Sequence, residues 1–395
     1  MIPYGHQEVS EADIATVVEV LRSDFLTQGP VIPRFEQAIA AHVGAKHAVA
    51  LNSATSALHV ACAALGLSHG DSLWTVPNTF VASANCARYC GADVDFVDID
   101  PHTWNLSVAA LRAKLEEASR RGRLPKVVIP VHFAGQPTEQ EAIWELAARY
   151  GFRVVEDASH SIGATRNGEP VGSCRWADIA IFSFHPVKII TSGEGGMALT
   201  NDGELAMRMS MLRSHGITRD PARLSVRTAP VAAAQARPEP PGWYYEQQLL
   251  GFNYRMTDIH GALGLSQLQR LRSYVERRNA LARVYDEALR TLPLQLPVVR
   301  PENRSAFHLY VVRLKSAGKS HRAVFDELRT AGINVGLHYI PVHLHPYYRA
   351  LGFAPDQFPE AERHATEALT LPLYPALRAQ DQECVIRALR RILAS

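Results

Sequence analysis

Three short segments carry residue types that can act together on a reactive ligand. The first is Leu51-Asn52-Ser53-Ala54-Thr55-Ser56-Ala57, small and hydroxyl residues where an apolar run passes into a helical pattern. Backbone N–H groups at such a helix start point at an incoming anion, and small side chains let a phosphate approach. The second is Val154-Val155-Glu156-Asp157-Ala158-Ser159-His160. A carboxylate after an apolar strand leaves the carboxyl edge of a sheet, where it can hold a protonated ring nitrogen, bind a metal or cap the next turn. The third is Ile181-Phe182-Ser183-Phe184-His185-Pro186-Val187-Lys188, followed by Gly193-Glu194-Gly195-Gly196. A lysine at a strand end is usually a surface residue. In a crowded site it is desolvated, which frees its amine as a nucleophile.

Together the three are far more specific than apart. A phosphate cradle, an aspartate and a lysine 31 positions later match the needs of pyridoxal 5′-phosphate. That cofactor requires a phosphate site, an acid beside its ring nitrogen and an amine that binds it covalently. The same amine can move a proton as general base and acid.

The elements that must position these residues alternate along the chain. Apolar runs at His47–Leu51, Ser72–Val76, Val94–Val97, Lys126–Val131, Arg153–Val155, Ile179–Phe184 and Met197–Thr200 read as strands. Helical patterns at Thr55–Leu65, Phe80–Cys90 and Glu139–Tyr150 separate some of them. The alternation predicts an α/β fold with a large, mostly parallel sheet covered by helices. Ser10 with Asp13 forms a capping-box pattern ahead of a first helix, and Pro33–His42 reads as a second. The loop Leu26-Thr27-Gln28-Gly29-Pro30 divides them. Residues 221–241 are rich in Pro, Ala and Arg and read as a mobile surface insertion. Asp258–Leu289 reads as one or two long helices, and an α+β region follows from Phe307. We therefore expect a large domain over 1–250 and a smaller C-terminal domain over 251–395.

Composition excludes several classes. The chain has 395 residues, 47% hydrophobic and 20% charged, with formal charge +2. No global basic field recruits nucleic acid or anionic lipid. The run Arg120, Arg121, Arg123 reads as a solvated helix end. Cys62, Cys86, Cys90, Cys174 and Cys384 include no CxxC pair and predict reduced thiols without a metal site. Neither a secretory leader pattern nor an 18-residue apolar segment occurs, so a cytoplasmic protein is expected. No G-x-G-x-x-G follows the first strand, which removes the nicotinamide reading.

The three segments resemble the DegT/DnrJ/StrS family of sugar aminotransferases, a branch of the fold-type I pyridoxal phosphate enzymes. The resemblance covers nearly the whole chain outside the Pro/Ala-rich insertion. It implies that Lys188 forms the Schiff base and that Asp157 pairs with the ring nitrogen. Phe80, in Pro77-Asn78-Thr79-Phe80, would stack on the ring, and Ala54, Thr55 and Ser183 would bind phosphate. Asn253, in Gly251-Phe252-Asn253-Tyr254-Arg255-Met256, would reach the phosphate of a second subunit, making the active unit a homodimer with shared sites. His160 stands where many members carry glutamine, near the cofactor's phenolic oxygen. Members that replace the lysine with histidine are dehydratases, and Lys188 argues against that activity.

A narrower resemblance lies in Ser183–Lys188, Trp243-Tyr244-Tyr245-Glu246-Gln247 and His338-Tyr339-Ile340-Pro341-Val342-His343. The segments Ile2-Pro3-Tyr4-Gly5 and Leu26–Pro30 fit the same type. It is to members that aminate C4 of a UDP-linked 4-keto-6-deoxy N-acetylamino sugar with L-glutamate, in pseudaminic acid biosynthesis. Thr27, His338, Tyr339 and His343 would then contact substrate. The residues themselves leave other readings open. His338–His343 can be an ordinary loop, and Trp243–Tyr245 can cover a base or pack the insertion. Another keto nucleotide sugar (perosamine, bacillosamine or aminoarabinose type) or a non-catalytic regulatory protein binding the cofactor are the alternatives. Arg213, Arg219 and Arg255 are the candidates for gripping the donor carboxylate.

Overall fold

A computed structural model describes residues 1–225, 241–315 and 318–393. Seven strands form the principal sheet: β1 (His47–Leu51), β2 (Ser72–Thr75), β3 (Asp93–Phe96), β4 (Val127–Ile129), β5 (Arg153–Asp157), β6 (Ile179–Ser183) and β7 (Gly196–Thr200). Their order across the sheet is β1-β7-β6-β5-β4-β2-β3. The pairs β2–β3, β2–β4, β4–β5 and β5–β6 are parallel. Strand β7 runs antiparallel to both β6 and β1. The expected mostly parallel sheet is present, with one strand reversed inside it. Every residue of β4, β6 and β7 is buried, as a sheet covered on both faces requires.

The helices follow from local chemistry. Helix α1 (Glu11–Leu21) opens on the Ser10/Asp13 capping box, and α2 is Val31–Val43. Helix α3 (Ala54–Ala64) is capped by Ser53, whose hydroxyl accepts from Ser56 N. Helices α4 (Ala82–Tyr89), α5 (Val108–Arg120) and α6 (Gln140–Tyr150) return the chain to the sheet. Gly151, at φ 80°, ends α6 and turns the chain directly into β5. Helix α7 is Gly203–Arg213. Arg120 closes α5 with Arg121 as its C-cap, and Arg120, Arg121 and Arg123 are exposed as expected.

The segment Asp258–Leu289 is two helices, α8 (Asp258–Leu268) and α9 (Leu271–Leu289). Helix α8 packs on α1 and α2. The Asp258 carboxylate accepts from Gly29 N and Val31 N, each at 2.8 Å, which ties the Leu26–Pro30 loop down. A smaller antiparallel sheet, Leu294–Gln295, Tyr310–Leu314 and Ala368–Leu371, is covered by His321–Thr330 and Ala379–Leu393. The apolar cores divide later than residue 250. Leu271, Tyr274 and Val275 of α9 pack with the large sheet, whereas Leu281, Tyr285 and Leu289 belong to the second core. Helix α9 therefore pins the two parts together. Residues 226–240 of the expected insertion lie outside the described residues, and its two flanks meet where Ser225 N and Oγ donate to Glu246 at 2.7 and 2.6 Å.

Candidate active site

Strands β1, β5 and β6 end on the same edge of the sheet, and one cavity of about 610 Å³ opens there. Ala54 and Thr55 line it from the start of α3. The N–H groups of a helix's first residues have no partner within the helix, so this end offers donors to an anion. Gly196, opening β7, allows the approach: a Cβ there would sit 2.4 Å from Ser53 C and O and 2.5 Å from Ala54 N. Ser183, closing β6, lines the same cavity, as does Lys188 in the loop that follows.

Asp157 closes β5, only 5% exposed. Its Oδ2 accepts from Ser83 Oγ at 2.6 Å and its Oδ1 from Ser159 N at 3.1 Å. Ser83 has one proton, which goes to the carboxylate, so the 2.9 Å contact with Thr79 Oγ1 is donated by Thr79. No salt bridge to Asp157 occurs among the described residues. A buried carboxylate without a paired cation is costly, and a protonated ring nitrogen would supply the missing charge. Lys188 is half-buried, and desolvation pushes its ammonium down to about 8, against the opposing attraction of Asp157. Its free amine is therefore accessible near neutral pH. The helix end, the unpaired carboxylate and the depressed lysine fit the phosphate, ring nitrogen and carbonyl of pyridoxal phosphate.

The remaining wall is aromatic and histidine-rich. Phe80 lines the cavity at 59% exposure, its ring 6.5 Å from that of Tyr339. Tyr339 Oη lies 3.2 Å from His160 Nε2, and His338 Nδ1 lies 2.8 Å from Thr370 Oγ1. Burial, with Lys188 nearby, pushes His160 well below the usual histidine range and His338 down to about 4. Both imidazoles are neutral at pH 7.

Two expected residues, His343 and Thr27, lie elsewhere, and Asn253, expected to serve a second subunit, lies outside this chain's cavity. His343 is fully buried, bonded to Glu362 Oε1 at 3.0 Å and packed on Phe96 and Phe358, so it belongs to the core beneath the loop. Thr27 is exposed and bridges Thr257, and Asn253 is exposed and bridges Ser214. Neither lines this chain's cavity. The arginine candidates are also absent from it. Arg213 pairs with Glu36 at 2.7 Å, Arg219 lies over the Tyr245 ring, and Arg255 runs beside Leu51. Sequence reasoning missed Ser83, Glu194 and His308, all at or beside the cavity. Glu194 was in view within Gly193–Gly196, but His308 stands in no recognisable pattern.

A pyridoxal phosphate site at the carboxyl edge of a seven-stranded sheet defines a fold-type I transferase. The chain belongs to the DegT/DnrJ/EryC1/StrS aminotransferase family, which it matches over residues 7–390, and it is a pyridoxal-phosphate-dependent sugar aminotransferase. It is 37% identical to the spore coat polysaccharide biosynthesis protein SpsC of Bacillus subtilis strain 168, over 99% of this chain and 97% of SpsC. Its fold matches Helicobacter pylori PseC, an aminotransferase of pseudoaminic acid biosynthesis, with TM-score 0.88 and 27% identity over 100% of this chain and 99% of PseC. Spr1654 of Streptococcus pneumoniae matches in its PLP form (TM-score 0.86, 27% identity, 100% and 98% coverage) and its PMP form (TM-score 0.87, 27% identity, 100% and 99%). Among the described residues no helix is long and apolar enough to cross a membrane.

Proposed function

We propose that this enzyme moves the amino group of L-glutamate to C4 of a UDP-linked 4-keto-6-deoxy N-acetylamino sugar. The observation that carries the chemistry is the meeting of Lys188, Asp157 and the start of α3 around one cavity. The N–H groups of Ala54 and Thr55, with Ser183, would hold the cofactor's phosphate. Asp157, fixed by Ser83, keeps the ring nitrogen protonated. Phe80 would cover the ring, and His160 would face the phenolic oxygen. When bound, pyridoxal phosphate supplies an electron-withdrawing ring and a carbonyl that carries the amino group between substrates. The Lys188 amine takes a proton from the carbon that loses nitrogen and returns one to the carbon that gains it. His338 and Tyr339 offer hydrogen bonds to the sugar.

The substrate assignment is supported by the segments Ser183–Lys188, Trp243–Gln247 and His338–Tyr339, and by the likeness to PseC. We further infer a homodimer in which Asn253 reaches the phosphate of the other subunit. Its exposure, outside its own chain's cavity, supports that reading. A second reading, another keto nucleotide sugar of polysaccharide assembly, is favoured by the higher identity to SpsC. A panel of UDP-, GDP- and dTDP-linked 4-keto sugars with L-glutamate decides between them. Amination of the UDP-linked N-acetylamino sugar above all others is expected. Preference for a GDP- or dTDP-sugar would overturn the assignment in favour of the second reading.

A further inference from the structure

The cavity wall holds two imidazoles packed together with their planes tilted by 45°, and only one of them has a place in the proposed chemistry. His160 and His308 lie with ring centroids 4.5 Å apart, each 5% exposed, and both line the cavity. The Nδ1 atom of each is buried without a hydrogen-bond partner. Burial raises the Tyr339 phenol, which therefore stays protonated, and its oxygen lies 3.2 Å from His160 Nε2, a contact that either group can donate. Burial also holds His308 well below the usual histidine range, leaving it neutral.

Much backbone is committed to placing His308. Gly135, at φ 101°, lets the segment pass so closely that a Cβ would sit 2.8 Å from Phe307 N, 2.9 Å from His308 N and 3.0 Å from His160 O. Ala306 N donates to Gly135 O at 2.9 Å. From α9, Arg278 Nη1 donates to Phe307 O and His308 O at 3.2 Å each and to Leu373 O at 2.9 Å. Arg278 is 2% exposed and has no carboxylate partner among the described residues. A buried cation spent on three carbonyls holds the backbone that presents His308.

Two substrates must use this cavity in turn, a dicarboxylic amino acid and an uncharged keto hexose. No arginine of this chain lines it among the described residues. An arginine suited to the first substrate would be left buried and unpaired beside the second. A neutral imidazole donates to a carboxylate and equally to a hydroxyl. His338 and Tyr339 are already assigned to the sugar, which leaves the His160–His308 wall for the amino donor. We propose that His308 is the hydrogen-bond donor that holds a carboxylate of the amino donor in place of an arginine, and that Arg278 is its positioning residue. This rests on the reading of L-glutamate as donor.

The test uses the pyridoxal phosphate holoenzyme and two ligands. Maleate, a dicarboxylate that cannot transfer an amino group, is titrated by calorimetry. L-Glutamate without sugar is titrated by the absorbance change of the bound cofactor in a single turnover. In His308→Ala both half-saturation values should rise on the order of 10-fold. His308→Asn, which keeps a short N–H donor and guards against a misfolded alanine variant, should recover part of the loss. Arg278→Lys should raise the glutamate value more than the keto-sugar KM, a split that a lowered Tm alone would not produce. Unchanged maleate and glutamate values in both His308 variants would overturn the proposal. Should the wild type bind maleate but not react with L-glutamate, the donor assignment fails, and maleate affinity still decides the role of His308.

Discussion

Ser83 Oγ donates a 2.6 Å hydrogen bond to Asp157 Oδ2 across 74 positions of sequence, joining α4 to the end of β5. The carboxylate that would face the cofactor ring is thereby held from behind. Hydrogen bonds to charged groups are worth about 1.5–3 kcal/mol. Ser83→Ala should weaken pyridoxal phosphate binding by about 10-fold or more, read from cofactor titration of the apoenzyme. Binding within a factor of two of wild type would show that Ser159 N alone suffices.

Lys188 sets a pH dependence. Its ammonium is pushed down to about 8, and only the free amine attacks a carbonyl. The rate at which apoenzyme takes up pyridoxal phosphate should climb as pH rises through about 8 and then level off. A rate still climbing near the ordinary lysine value of about 10.4 would contradict the desolvated placement. Lys188→Ala should lose the visible band of the bound cofactor and all measurable transfer.

Gly196 is the contact on which the proposed phosphate cradle depends. Gly196→Ala would drive a Cβ into Ser53 and Ala54, at 2.4 and 2.5 Å, and push the start of α3 off the sheet edge. Loss of cofactor binding should exceed the loss of thermal stability, seen by comparing apo and holo Tm with wild type. A normal holo shift would mean that the loop yields without cost.

Acid should unfold the protein early through its buried histidines. His364 is fully buried, its ring nitrogen Nε2 on His338 O at 3.0 Å, and burial pushes it down to about 3, as it pushes His338 to about 4. The unfolded chain takes up these protons near 6.5, so below that pH it binds more protons than the fold does, and stability falls with falling pH. Each such histidine contributes about 1.4 kcal/mol per pH unit across its window. Urea midpoints should drop between pH 7 and 5, and His364→Gln should make that slope shallower. An unaltered slope would remove His364 from the set.

Shared sites can be tested by mixing. If Asn253 serves the other subunit, Lys188→Ala and Asn253→Ala homodimers are each impaired. A hybrid of the two carries one site lacking both residues and one intact site. Activity should return on mixing after subunit exchange. No recovery, with exchange verified by mass, would place Asn253 in its own subunit's site or in none.

The strands were legible to within a residue or two, because β4, β6 and β7 are unbroken apolar runs buried on both faces. That Lys188, Asp157 and Ala54–Thr55 would meet at one sheet edge was legible because each ends or closely follows an apolar strand. The reversal of β7 was not, since an apolar pentamer reads the same in either direction. Helix α7 escaped as well, and of α5 only the basic end at Arg120–Arg123 was foreseen: α5 buries only Leu111, Leu115 and Ala118, too thin a stripe to stand out. His343 was named as a substrate contact through the resemblance of His338–His343, yet it is buried and bonded to Glu362, 19 positions away. His308 and Ser83 meet their partners far off in sequence, and single-chain patterns carry no sign of them.

The reversed strand also decides what can move. Because β6 and β7 lie antiparallel, the chain leaving at Ser183 comes back beside itself at Gly196, and residues 184–195 form a noose. Its neck is tied by Phe184 N on Gly195 O at 2.9 Å, Ser192 N on Phe184 O at 3.0 Å and Thr191 Oγ1 on Phe184 O at 2.9 Å. A noose tied there cannot swing as a flap does. Lys188 must reach by rotating its own methylenes, motion faster than loop opening by orders of magnitude. The reach of this lysine is therefore not limited by loop opening.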